Sequence, residues 1–359
     1  MAAAVLDSRA LNRATLARQL LLEREPLSQL DAVEQLVGLQ AQVPRDPYVA
    51  LWSRVEGFGR DDLGDPLRKR QVVRAMLFRA TLHIVSRKQY AALRPALDDV
   101  MTKAMTGALK GRDDGLDLGK VLPAAERLVG KAPRTFNELR AELSKAFPKV
   151  NERALGYAVR TQLPLTMVAT DDVWAFPRDA QFGPPGIKLR KPDLEQLLRF
   201  YLGAFGPATV ADAQRYCGLQ GLKPVFEGLR EELEVFRAGK RELFDLPDAP
   251  RPGADADAPP RFLADFDSLV LAHDDRTRII ADEHKPKIAS RNLRIPAMAL
   301  WDGFAAGTWK IERKRGVATL TVTPFAKLPR GAAKAMEPEA LGLLAFAEPE
   351  AKSHAFSVG

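Results

Sequence analysis

Two stretches of this chain carry the same punctuation, and that punctuation limits the folds open to it. Thr135 is followed three residues on by Glu138, and Thr209 by Asp212. A threonine hydroxyl and a carboxylate at that spacing satisfy the bare amides of a helix start reciprocally. Over 123–177 the capped helix is followed by a helix at 152–162, then by β-prone segments 165–170 and 173–176 about Asp171-Asp172. Over 193–247 a helix at 194–204 precedes the capped one. A helix at 222–232 follows, then a hairpin of 233–236 with 241–244. This order predicts a weak internal repeat of winged helix-turn-helix units, whose third helix can enter a major groove. Such units also serve as protein-interaction modules, so the order alone does not give function.

The rest of the chain extends the pattern. Apolar spacing predicts helices at 11–22 and 30–39, a third opened by Pro47, and a helical run over 71–77 that turns β-like over 77–86. The proline- and aspartate-rich stretch 247–260 is a linker or long loop. Beyond it, 305–313 and 317–323 form a hairpin about Lys314-Arg315-Gly316, and a last helix covers 338–348 ahead of a short tail. The fold class expected is mainly α with short β-hairpins, an α+β chain of tandem winged helices. The units expected are 1–120, 121–185 and 186–250, with a β-rich region at 251–359 packing back on them.

Charge and cysteine content narrow the function. Lys and Arg outnumber Asp and Glu 54 to 46, for a formal charge of +8, which suggests a polyanionic partner such as DNA. Cys217 is the one cysteine, and His83, His273, His284 and His354 are scattered, so no disulfide, metal or cofactor is expected. No apolar run approaches the roughly 20 residues of a membrane span, and the start lacks the pattern of a secretory signal, so a cytoplasmic location is expected. Serine-hydrolase, zincin, P-loop and Rossmann motifs are absent from the sequence.

The segment Gly38-Leu-Gln-Ala-Gln-Val-Pro-Arg-Asp-Pro47 offers a quieter chemistry. On a helix Gln40 and Gln42 would point about 200° apart. Pro44 disfavours helical geometry at Val43, so the helix should end near Gln40. In an extended exit, residues two apart face the same way and both amides can reach one pocket. Taken alone, such a pair is usually solvated or capping. Asp46 competes as the catalytic polar group, with an ion pair to Arg45 or a helix cap as its other roles. Tyr48 and Trp52 sit at helical spacing and should fill the core.

Together with this motif, Leu11-Asn-Arg-Ala-Thr-Leu-Ala-Arg-Gln-Leu-Leu21, Arg79-Ala-Thr-Leu-His-Ile-Val-Ser86, 263–278 and Trp301-Asp-Gly-Phe-Ala-Ala-Gly-Thr-Trp309 resemble the bacterial AlkZ-like winged-helix DNA glycosylases across nearly the whole chain. The resemblance implies three winged helices about a C-shaped, basic, concave surface. It also implies a monofunctional glycosylase that releases N7-alkylated purines, including bulky genotoxin adducts and interstrand crosslinks, in base excision repair and self-resistance. Its catalytic Gln-x-Gln falls on Gln40 and Gln42, with Ala41 smaller than the usual middle residue. The partner implied is double-stranded DNA, met by a monomer.

Candidate DNA contacts are Arg45, Arg79 and His83 near the motif, Lys285, Lys287 and Arg291 in the basic stretch 276–294, and Lys310, Arg313, Lys314 and Arg315 on the hairpin. His83 also reads as a structural residue, and Lys-Arg-Gly as a plain charged turn. The alternatives to an enzyme are a non-catalytic winged-helix regulator and a protein-interaction scaffold. No effector or dimerisation domain is legible for a regulator.

Overall fold

In the computed structural model, which describes residues 4–288 and 294–359, the first helix spans Ser8–Arg18 and is capped by the Asp7 carboxylate on the Ala10 amide. Beside Leu11, Ala14 and Leu16 it buries Asn12, Arg13, Thr15 and Arg18. Buried polar groups need partners, and these have them. Asn12 Nδ2 donates to the carbonyls of Arg278 at 2.7 Å and Gly303 at 2.8 Å. Arg18 meets Asp245 with two parallel bonds of 2.6 and 2.7 Å and also donates to the Leu202 carbonyl at 2.9 Å. One helix thus ties together segments separated by more than two hundred residues.

The fold is mixed α/β, with more sheet than the sequence suggests. A six-stranded sheet runs in the order Leu39–Gln40, Leu82–Ser86, Val72–Met76, Thr166–Met167, Gln181–Gly183, Arg134–Thr135. A five-stranded sheet runs Arg261–Leu263, Met298–Trp301, Phe304–Lys314, Val317–Pro324, Ser353–Val358, with the last pair parallel. The N-terminal strand Ala4–Val5 lies parallel to Glu234–Ala238, which forms a hairpin with Arg241–Asp245. No described helix is long and apolar enough to cross a membrane.

Several elements stand where the sequence placed them. The helices Phe136–Ala146 and Val210–Cys217 both open on reciprocal capping boxes, at Thr135/Glu138 and Thr209/Asp212. The hairpin Phe304–Lys314 with Val317–Pro324 turns on Arg315 and Gly316, at φ 52° and 85°. Two consecutive positive φ values match the twist of the strands they join.

Others differ, for physical reasons. Residues 71–77 are not helical: Val72–Met76 is a strand between two neighbours, and all five residues are buried. A strand covered on both faces loses the alternation that would mark it. Residues 173–176 form no strand. Thr166–Met167 pairs instead with Gln181–Gly183, while Trp174 packs edge-on against Tyr48 at 5.1 Å and Phe176 lies under Arg74 at 4.9 Å. The last helix starts earlier, at Ala332, and the tail is a strand. Val121, Val129, Leu139, Leu155 and Val159 form a core within one segment, whereas the 72–101 and 197–244 segments share another.

We predict that Asp245→Ala, which leaves Arg18 and Arg251 without their shared carboxylate, lowers unfolding stability by about 3–5 kcal/mol. Denaturant titration checks this. A loss below about 1 kcal/mol, the worth of an exposed pair, would show that the bond is not a structural tie.

Candidate active site

Helix Gln29–Gln35 ends earlier than Pro44 alone would require. Val37 and Gly38 then take φ of 52° and 93°, and a Cβ on Gly38 would stand 3.4 Å from the Phe78 ring. This left-handed reversal suits glycine. It turns the chain into the strand Leu39–Gln40, where Gln40 faces His83 in antiparallel register. The Ala41 amide donates to the Leu82 carbonyl at 2.7 Å. Buried Arg74 then grips the next peptides. Its Nε and Nη2 donate to the Ala41 carbonyl at 2.9 and 2.7 Å, and Nη2 to the Gln42 carbonyl at 3.2 Å. Burial pulls the Arg74 guanidinium down to about 10, with Asp46 acting against that shift.

Gln40 and Gln42 line one cavity of about 710 Å³. Gln40 is 7% exposed and Gln42 is half-buried. Arg79, in a turn where φ is 54°, donates through Nη2 to Gln40 Oε1 at 2.9 Å and through Nη1 to the Tyr216 carbonyl at 2.6 Å. Its guanidinium also lies over the Tyr216 ring at 5.1 Å. The Gln40 carboxamide is therefore oriented: its oxygen is held by a cation, and its NH₂ is the end left to the cavity.

The remaining wall mixes apolar Phe266, Leu271, Ile288 and Ile295 with Arg215, Asp274, Arg276, Lys285 and Arg294. Lys285 pairs with Asp282 at 2.5 Å, and Arg294 pairs with Asp265. Of the candidates named from sequence, the cavity gathers Gln40, Gln42, Arg79 and Lys285. Arg45 precedes helix Asp46–Trp52 and is half-buried. Lys287 donates to the Phe325 carbonyl. Arg291 lies outside the described residues. On the hairpin, Lys310 and Lys314 both bind Glu312, at 2.8 and 3.0 Å, Arg313 donates to the Glu350 carbonyl at 2.6 Å, and Arg315 is exposed at the turn. None of these four lines the glutamine cavity.

Two readings need correction. His83 is fully buried under Gln40, its Nδ1 3.0 Å from the Thr81 carbonyl and its ring edge-on to Phe78, so it is not placed to touch a phosphate. Burial, and then Arg79, depress its pKa to about 3, leaving it neutral. Asp46 makes no ion pair with Arg45 and does not cap its helix. It is the first helical residue, 5% exposed, with Oδ2 unpartnered. Burial, and then the nearby Asp265 charge, raise its pKa to about 7 against Arg45, Arg294 and Arg74. Tyr48 fills the core as expected, and Trp52 packs under Arg24 at 4.4 Å.

Arg74 and Arg215 were missed, and Arg276 was read only as the start of the basic stretch 276–294. Arg74 lies in a strand that reads as helix, and nothing in sequence brings Arg215 near Arg276. Among the described residues no group of three or more His, Cys, Asp or Glu side chains is placed to hold a metal ion.

A profile of the family described as DNA glycosylase AlkZ-like matches residues 33–346. An "Interstrand DNA cross-link repair glycosylase" of Streptomyces sahachiroi is 25% identical over 362 aligned positions, covering 90% of this chain and 92% of that protein. The solved structure of Streptomyces sahachiroi DNA glycosylase AlkZ superposes with a TM-score of 0.83 at 21% identity, over 99% of this chain and all of the other.

The raised Asp46 carboxyl gives a pH dependence. The folded state holds a proton that the unfolded state has lost between the ordinary 3.8 and about 7. Stability from this group is therefore present at acid pH and lost as pH rises toward 7. Asp46→Asn does not titrate. Unfolding at pH 5 and pH 8 should show the variant gaining on the wild type by about 2 kcal/mol across that interval. A difference that does not change with pH would mean that the carboxyl ionises normally.

Proposed function

The chain belongs to the AlkZ-like DNA glycosylase family and is an enzyme that hydrolyses N-glycosyl bonds, and on that premise we propose that it excises N7-alkylated purines from double-stranded DNA, with Gln40 and Gln42 as its catalytic pair. Interstrand crosslinks, the lesion in the name of the Streptomyces sahachiroi relative, fall within its substrates, and so do bulky genotoxin adducts. Its roles are then base excision repair and self-resistance. The observation that carries the reading is the convergence of both amides on one cavity, with the Gln40 oxygen fixed by Arg79.

The chemistry suits neutral amides. Alkylation at N7 makes the purine a cation. When the C1′–N9 bond breaks, its electron pair moves onto the purine and cancels that charge, so no strong acid is needed at the leaving group. The sugar becomes an oxocarbenium ion, and a water oxygen bonds to C1′ and releases a proton to solvent. The task left to the protein is to hold that water and the sugar in line. Gln40 offers its NH₂ as donor to the water oxygen, and the Gln42 carbonyl accepts a water hydrogen and faces the developing positive charge.

In this reading the segments 1–120, 121–185 and 186–250 act as winged helices about a C-shaped, basic, concave surface. The capped helices and the strands after them support it. The region 251–359 supplies the opposite wall of the cavity and a hairpin that grips DNA backbone through Lys310, Lys314 and exposed Arg315, in a protein acting as a monomer. A non-catalytic regulator is not favoured, because a regulator has no use for oriented amides in a cavity.

We predict that Gln40→Ala and Gln42→Ala each slow single-turnover release of N7-methylguanine from duplex DNA by about 100-fold while leaving duplex affinity intact. Release at the wild-type rate by both variants would remove the pair from the chemistry. A second prediction concerns the hairpin: Lys314→Glu with Arg315→Glu should weaken DNA binding and lower the slope of log affinity against log salt by about 1 to 2. An unchanged slope would place the hairpin off the DNA.

A further inference from the structure

The cavity beside the glutamines carries five cationic side chains and one carboxylate, Asp274. Three of the cations are engaged. Arg79 serves Gln40 and Tyr216, Lys285 pairs with Asp282, and Arg294 pairs with Asp265. Arg215 and Arg276 differ: neither guanidinium has a hydrogen bond or ion pair among the described residues. They repel each other, and both repel Arg79. Asp274 attracts Arg276 but forms no ion pair with it. Like charges held at one wall beside a single lining carboxylate, and paired with neither it nor any other among the described residues, call for an anion from outside.

The arrangement is built rather than incidental. Arg215 sits on helix Val210–Cys217, one turn beyond Asp212. Buried Asp212 uses Oδ2 to accept the Thr209 amide at 2.9 Å, closing the helix cap. Its Oδ1 accepts the Asp274 amide at 2.8 Å, which fastens the 274–276 loop to the same helix end. Fully buried His273 holds that loop again, with Nε2 2.9 Å from the Phe205 carbonyl. On its far side, Arg278 donates to the Pro207 carbonyl at 2.9 Å. Both of Asp212's oxygens are thus occupied by backbone amides. They set the two arginines in place and do not neutralise either.

We propose that Arg215 and Arg276 clamp one backbone phosphodiester of the damaged strand and thereby set the nucleotide being excised against Gln40 and Gln42. This rests on the reading of the glutamine cavity as the active site. A phosphodiester has two non-bridging oxygens, and a guanidinium fork suits each. The clamp also answers an electrostatic difficulty. A cationic purine is repelled by a bare arginine wall, whereas a purine that arrives with its own phosphate meets a wall already compensated.

The test uses the full-length protein and duplexes carrying a single N7-methylguanine, in which successive phosphates around the lesion are replaced one at a time by neutral methylphosphonate. Binding and single-turnover release are both measured. For wild type, one replacement position should weaken binding about 10-fold or more. R215Q/R276Q should bind the all-phosphate duplex with a loss of similar size and a salt slope lower by about 1. At that one position, the variant should lose nothing further from the replacement. Fully additive losses at every position, or an unchanged salt slope, would overturn the clamp. R215K/R276K keeps the charge without the fork and should restore the salt slope, and its thermal unfolding together with that of R215Q/R276Q shows whether each variant is folded. The binding arm does not depend on the glutamines. Coupling that persists when Gln40→Ala cleaves like wild type would refute the catalytic pair and keep the clamp, and the reverse result would do the opposite.

Discussion

The glutamine cavity is lined by segments far apart in the chain, and the bond between Arg54 and Asp267 ties the glutamine segment to the wall that begins at Phe266. Arg54 follows helix Asp46–Trp52, just past the Gln-x-Gln segment. Asp267 opens helix Ser268–Leu271, next to Phe266 in the far wall. The two side chains meet in parallel bonds of 3.0 and 2.8 Å, and Arg54 is fully buried. A buried pair of this kind is weak support for stability as such, because desolvation offsets much of the attraction. Its value is positional. Arg54 also donates to the carbonyls of Gln19 and Ala50, at 3.0 and 2.9 Å, and Asp267 accepts the Leu269 amide at 3.0 Å. The Ser268 hydroxyl then reaches the Gly38 carbonyl at 3.3 Å. Each group on this seam has a specified partner, so a shift of either wall would strand a buried charge.

The same logic recurs at smaller scale around the glutamines. A carboxamide has little intrinsic reactivity, so whatever it contributes depends on where its two ends point. Arg74 fixes the Ala41–Gln42 peptide and the one that follows it, and Arg79 fixes the Gln40 oxygen. Arg79 is itself held by the Tyr216 carbonyl, while the Tyr216 hydroxyl donates to the Val37 carbonyl at 3.0 Å. The aromatic contacts of Tyr216 with Phe78 and Phe205, at 4.6 and 4.7 Å between ring centres, bind that lattice to the core shared by two segments. Precision at the site is therefore inherited from packing that begins about 180 residues downstream.

What the sequence made legible follows the range of the forces involved. Thr135 and Thr209 announce their helices because a cap is settled within four residues. The Arg315-Gly316 turn is legible for the same reason. The Pro44 constraint allowed both glutamines one pocket, and both do line one cavity, although Gln42 lies in a bend beyond the strand Leu39–Gln40 rather than in an extended exit. It misplaced the end of the helix, because the break comes earlier, at the Val37-Gly38 reversal where both residues take positive φ. Val72–Met76 looked helical because a strand buried on both faces shows no period of two. Trp174 and Phe176 looked like a strand because aromatic residues favour sheets, yet their rings anchor a loop to Tyr48 and Arg74. The Ser353–Val358 strand could not be seen without its parallel partner Val317–Pro324.

Charge was legible as a total and as runs along the chain, not as the groups that folding brings together. The excess of +8 suggested a polyanion, and the obvious clusters drew attention to the hairpin. There the structure spends much of the charge internally: Lys310 and Lys314 hold Glu312 down to about 2. Of the two cations without an ion pair at the glutamine cavity, Arg276 falls in the basic stretch 276–294, but Arg215 belongs to no cluster in sequence and lines the same wall where Asp212 accepts the Asp274 amide. Counting lysines and arginines along the chain finds solvated charge most easily, since runs of like charge stay apart in water. A cation held beside another by buried hydrogen bonds is the costlier arrangement. In a site whose amides carry no charge of their own, that arrangement decides where the phosphate, and with it the sugar, comes to rest.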